Sequence, residues 1–285
     1  MAKNDSTPKA PSKTNMTKAE RREAALAEAE RLRKAQAARD KRTRIITVSA
    51  LVAAIVVVAV VVFLILNEGG KKDADPMYGV TPPATASADG GISIGEAGEA
   101  GTSTDGAVEV DVYLDFMCPI CGDFESVNGA TLDALREDGT ITEVVHPVSI
   151  LDRLSEGTEF STRSSAAAGY VAENAPEQFG AFVDAMFANQ PKENTVGLSD
   201  DQIAQIAVGA GVAQDVADDI AAGKATDTFA DWSEAITTLA TQDEDLANPQ
   251  SGSFGTPTIV IDGELFTGNW ATAGELEAAI QAAAK

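Results

Sequence analysis

Residues 107–121 read AVEVDVYLDFMCPIC, a stretch in which an apolar–polar alternation runs directly into a pair of cysteines. The alternation over 107–115 predicts a β-strand with Val108, Val110, Val112 and Leu114 on one face. Cys118-Pro119-Ile120-Cys121 then falls where the strand hands over to a helix expected to reach about Glu137. The placement matters chemically. A helix N-terminus presents unpaired backbone N–H groups and a partial positive charge. Both favour a thiolate over a thiol, so the pKa of the first cysteine should fall. Pro119 suits the first helical turn, where its missing N–H costs nothing. Cys118 is expected to be an exposed attacking thiolate, and Cys121, one turn further in, a less accessible resolving thiol. Ile120 between them can offer the thiolate neither a hydrogen bond nor a charge.

Other readings of the pair carry less weight. A disulfide closing so short a loop adds little chain-entropy stabilisation. A zinc site at the pair wants four ligands of the Cys or His type, and apart from carboxylates the chain has only the two cysteines and the single His146. No cofactor is called for. His146 lies before Pro147 on a second expected strand, 141–149, and reads more readily as structural, since no nucleophile–base pair can be placed around it.

Further along, 157–242 is Ala-rich with helical spacing broken at Pro176, Pro191 and Gly209/Gly211, which suggests four or five helices. Residues 257–261 and 264–267 flank Asp262-Gly263, a type I′ hairpin signal. Residues 272–284 form a last helix, and Gly91–Gly95 a short edge strand. The order strand–CxxC–helix–strand, helical block, hairpin–helix is that of an α/β thioredoxin-like fold. The block is too long for a structureless loop and makes an all-helical insertion. Gly255-Thr256-Pro257-Thr258 stands directly before an apolar strand, where a proline is tolerated; with a CxxC upstream, its Thr256–Pro257 bond is expected to be cis.

Tyr113-Leu114-Asp115-Phe116-Met117-Cys118-Pro119-Ile120-Cys121 with Phe124 resembles the active-site segment of DsbA-like proteins of the thioredoxin superfamily. Phe187-Ala188-Asn189-Gln190 is similar to a segment of their helical insertion. Gly255-Thr256-Pro257-Thr258 with Ile261-Asp262-Gly263 resembles their cis-proline strand and hairpin, and Gly268 and Trp270 also fit. The resemblance covers about residues 91–284. It implies a thiol–disulfide oxidoreductase in which Cys118 forms a mixed disulfide with a client and Cys121 resolves it. Thr256 and Pro257 would pack beside the disulfide and offer backbone to the client. It also implies cysteine-containing exported proteins as clients and a quinone-linked membrane partner as reoxidant. Two departures stand out. Oxidising members often carry His between the cysteines, where this chain has Ile120. Thioredoxins place a buried acid six residues before the first cysteine, where this chain has Val112. Asp111 and Asp115 should point to the opposite strand face; Asp115 is read either as a charge acting on Cys118 or as an exposed strand-end or capping residue.

Residues 45–66 read IITVSALVAAIVVVAVVVFLIL without a charge. At about 1.5 Å per residue such a helix covers a hydrocarbon core of about 30 Å. A cleaved signal peptide would have a shorter apolar region and a nearby cleavage site, but the nearest A-x-A, Ala86-Ser87-Ala88, is far downstream. An uncleaved transmembrane anchor is expected. Residues 1–44, a tail expected to be partly disordered and partly helical, carry 13 Lys and Arg against 6 Asp and Glu; residues 67–285 carry 8 against 38. Positive flanks stay inside, so the N-terminus should be cytoplasmic and the acidic domain extracytoplasmic. Nucleic-acid binding by so acidic a domain is excluded in practice. Residues 67–90, rich in Gly, Ala, Ser, Thr and Pro, are expected to be a flexible linker.

Two alternatives to disulfide introduction share these features. One is a reductase or isomerase of the same fold, set apart by its reduction potential. The other is a redox-inert peptide-binding module, which would survive loss of both cysteines.

Overall fold

The computed structural model describes residues 75–284 continuously and, before them, only residues 18, 22, 23, 26–34 and 36. The expected transmembrane helix at 45–66 lies outside the described residues. Among the described residues no helix is long and apolar enough to cross a membrane. The chain divides into two units, residues 1–70 and 71–285. In the first, residues 26–34 are helical, with Leu26 and Leu32 exposed and a Lys34–Glu30 ion pair of 2.9 Å.

The second unit holds a five-stranded sheet of order β1-β3-β2-β4-β5. Its strands are β1 (Ile92–Ile94), β2 (Val108–Leu114), β3 (Ile141–Pro147), β4 (Thr258–Ile261) and β5 (Glu264–Leu265). β2 and β3 are parallel, which requires a crossover, and helix α1 (Pro119–Glu137) supplies it. The other pairings are antiparallel. The β4–β5 hairpin turns at Asp262-Gly263, whose φ angles of 47° and 79° are both positive, as a type I′ turn demands.

The Val108, Val110, Val112 and Leu114 face of β2 is buried, none of the four exposing more than 4%. It packs with Val145, Ile259, Phe124 and Leu132 into the main core. Between β3 and β4 lie five α-helices: α2 (Phe160–Asn174), α3 (Phe179–Ala188), α4 (Asp200–Gly209), α5 (Gln214–Ala221) and α6 (Lys224–Gln242). α2 carries Ala166, Ala167, Ala168 and Ala172, all buried, and these small side chains let α6 lie close against it. Phe229 and Trp232 of α6 fill the remaining space. The closing helix α7 (Glu275–Ala283) buries Leu276 and Ile280.

Of the expected flexible linker, residues 67–74 lie outside the described residues. From Asp75 onward the supposed linker is docked on the domain. Pro83 is buried, Ala84 N donates to Glu173 Oε2 at 2.9 Å, and Met77 and Val80 pack against the core. Turns at 76–79, 84–85 and 88–89 fold it back, and Ala86 also packs against the core.

Candidate active site

β2 ends at Leu114, and Asp115-Phe116-Met117 carries the chain to the start of α1. Cys118 is the N-cap residue and Pro119 the first helical residue. Both cysteines carry free thiols. The backbone N–H groups of Ile120 and Cys121 face the Cys118 sulfur, as the helix-terminus argument requires. The Thr256–Pro257 peptide bond is cis, and the Thr256 carbonyl oxygen lies 3.4 Å from Cys118 Sγ. The two motifs, 138 residues apart in sequence, thus meet at the sulfur.

Cys118 differs from the open thiolate expected of it, exposing only 5% of its surface. Cys121 exposes none. The asymmetry between them survives in electrostatics. A hydrogen bond from the Cys121 thiol, opposed by partial burial and helped by Thr256 and the helix N–H groups, lowers the Cys118 pKa to about 6. Burial, with the adjacent Cys118 sulfur, raises that of Cys121 well above the ordinary thiol value. At neutral pH the outer sulfur is therefore the thiolate and the inner one the thiol. Ile120 is 53% exposed beside them and has no polar group to add.

Of the two readings of Asp115, the exposed strand end is the one that does not hold. The residue is fully buried. Its carboxylate accepts from Met117 N at 2.8 Å, Leu151 N at 2.9 Å and Ser161 Oγ at 2.7 Å. Burial dominates and raises its pKa to about 7, with the neighbouring Cys118 charge acting in the same direction. The residue ties the active-site loop to the helical block. The turn out of the strand after Leu114 breaks the alternation on which the exposed reading rested.

Two contributions go beyond the roles read from the motifs, although Gln190 closes the Phe187–Gln190 segment quoted above. Gln190, just beyond α3, donates through Nε2 to the carbonyl oxygens of Phe116 and Cys118, at 3.1 and 2.8 Å. On the inner side of α1, Glu143 is buried against Arg136, with Nη1 at 3.0 Å, and Asp133, Glu125 and Asp184 stand nearby. Burial raises Glu143 to about 7 and Glu125 to about 8. The residues involved are scattered over α1, α3 and β3, so no local pattern announces them.

Beside Pro257 a cavity of about 400 Å³ is lined by Thr258, Leu265, Phe266, Asn269 and Trp270. Trp270 meets Phe124 of α1 edge to face, with ring centroids 5.6 Å apart. His146 lies on the opposite sheet face from Val145 and bonds to Asp111, away from the sulfur chemistry.

A segment of 102 residues is 30% identical to the serine/threonine-protein kinase PknE of Mycobacterium tuberculosis, covering 34% of this chain and only 18% of the kinase. Among solved structures, DsbA from Mycobacterium tuberculosis in its reduced form matches with a TM-score of 0.54 and 28% identity, over 67% of this chain and 91% of that one. The oxidised form matches with a TM-score of 0.53 and 26% identity, over 68% and 92%. MdbA, a thiol-disulfide oxidoreductase from Corynebacterium diphtheriae, shares the fold at a TM-score of 0.54 and 24% identity, over 70% and 91%. The fold is thus that of the DsbA-type thiol–disulfide oxidoreductases. The family model described as Thioredoxin matches residues 100–282, and the chain belongs to that family.

Proposed function

We propose that this protein is an extracytoplasmic, membrane-anchored oxidoreductase that introduces disulfides into exported proteins through Cys118 and Cys121. The observation that carries the redox reading is the split between the two sulfurs: Cys118 is lowered to about 6 at the helix N-terminus beside Thr256, and Cys121 is raised behind it.

In the oxidised enzyme a client thiolate attacks Cys118 Sγ, and the Cys121 sulfur leaves as a thiolate that takes up a proton. The second client thiolate then attacks the client sulfur of the mixed disulfide. Cys118 departs as the thiolate its environment favours, and two electrons have passed from client to enzyme. A low leaving-group pKa speeds this release and stabilises the reduced enzyme, which supports the oxidising direction. The cavity beside Pro257 gives an extended client somewhere to lie. A quinone-linked membrane partner would accept the electrons. Anchoring by residues 45–66 would raise the effective concentration between the two.

The test is Cys121→Ala in the full-length, membrane-embedded protein. Reductant-sensitive adducts through Cys118 are expected with exported cysteine proteins. A well-folded variant that traps none contradicts the redox reading.

A further inference from the structure

On the sheet face away from the cysteines, Asp89, Asp111 and His146 come together from the turn before β1, from β2 and from β3, with one ligating atom from each within 4.8 Å of the others. We propose that these three residues bind a divalent cation of the zinc class.

The imidazole is held ready. His146 is 1% exposed, and its ring stacks on Tyr113 with centroids 4.0 Å apart and planes 14° from parallel. Nε2 lies 2.8 Å from Asp111 Oδ1, and Nδ1 is buried with no hydrogen-bond partner. The nitrogen turned toward the carboxylates is Nε2, so Nε2 is the one that would ligate. Gly91 permits the approach of β1: a Cβ there would stand 2.6 Å from His146 Cε1 and 2.8 Å from Nε2. The Asp89 carboxylate is aimed in turn by Ser87 Oγ and by Gly91 N, the latter at 3.3 Å. Outer partners of this kind orient metal ligands.

Charge points the same way. The site adjoins a cleft of about 640 Å³ whose wall carries Asp75, Asp89 and Asp243 and no Lys or Arg. Asp111, buried beside His146, adds a carboxylate to those of the cleft wall. A cation would balance them.

The donor set selects the ion. Calcium takes six to eight oxygens and magnesium prefers oxygen and water, whereas imidazole suits zinc and its neighbours. One nitrogen and two carboxylates match a zinc-class ion, with a remaining position for water from the cleft. Ligation would tie the docked segment at Asp89 to the two central strands.

Zinc also binds thiols, so the test uses the full chain in detergent with both cysteines replaced, Cys118→Ser/Cys121→Ser. Zinc titration calorimetry should show saturable one-to-one binding that millimolar calcium does not compete away. Asp89 is exposed, so Asp89→Asn should fold normally and weaken zinc binding roughly tenfold or more. Cobalt, as a spectroscopic stand-in, should give a visible d–d band that Asp89→Asn diminishes. Absence of saturable zinc binding, or an affinity that Asp89→Asn leaves unchanged, overturns the proposal.

Discussion

The side-chain amide of Gln190 donates to the carbonyl oxygen of Cys118 at 2.8 Å, so a residue of the helical insertion holds the cap of α1. The same carbonyl accepts from Cys121 N at 3.0 Å. Gly122 makes room for the contact, since a Cβ there would lie 2.5 Å from Gln190 Oε1. Gln190→Ala removes two side-chain hydrogen bonds, each contributing on the order of 1 kcal/mol. Chemical denaturation should show a loss of about 1–2 kcal/mol, and Cys118 alkylation should become less selective over Cys121. Unchanged stability and selectivity would show the contact to be idle.

Asp115 provides a second prediction. Asp115→Ala leaves the buried N–H groups of Met117 and Leu151 unpartnered, at about 1–3 kcal/mol each. Asp115→Asn keeps the shape and removes the carboxyl that, with a pKa of about 7, ionises beside an already formed Cys118 thiolate. The alanine variant should be severely destabilised. In the asparagine variant the Cys118 alkylation rate should lose the inflection near pH 7 that Asp115 ionisation imposes; an unchanged inflection would contradict this account.

Stability should fall as pH rises. Asp115, Glu143 and Glu125 have folded-state pKa values of about 7, 7 and 8, raised from ordinary values of 3.8, 4.5 and 4.5. A raised acid binds its proton more tightly in the fold. Its stabilising effect is complete below the ordinary value and is lost as pH climbs through the folded one. In Cys118→Ser, which removes the opposing contribution of the lowered Cys118 pKa, the Tm should therefore decline between about pH 5 and pH 8. Glu125→Gln should flatten the upper end of that decline. A Tm that rises across this window would refute the assignment.

Ile120 is exposed and can be exchanged without disturbing the core. Ile120→His places a hydrogen-bond donor, partly cationic, beside the thiolate. The Cys118 pKa should drop further and the reduction potential rise, because stabilising the thiolate favours the reduced form. Equilibration against glutathione measures the change, and a lower potential would count against it.

The elements that set the fold were legible because each is local. The alternation of β2, the proline after Cys118 and the Asp262-Gly263 turn each act within a few residues, and their pairing follows from chain order. What escaped depends on distant partners. Asp115 finds Leu151 and Ser161 only after the helical block folds back, 36 and 46 residues away. Composition made the segment before Ile92 look mobile, but whether Pro83 is buried depends on α2 and α6. The Cys118 sulfur was expected to be open because the helix argument addresses its charge and is silent about the loop at Thr256 that covers it.

The most direct measurement is the titration of Cys118 itself, followed in the full-length reduced protein by thiolate absorbance and by the rate of iodoacetamide alkylation. The account requires one thiol with a midpoint near 6 and a second, Cys121, still protonated well above it. A Cys118 midpoint near the ordinary thiol value of 9.0, or equal reactivity of the two cysteines, would contradict it.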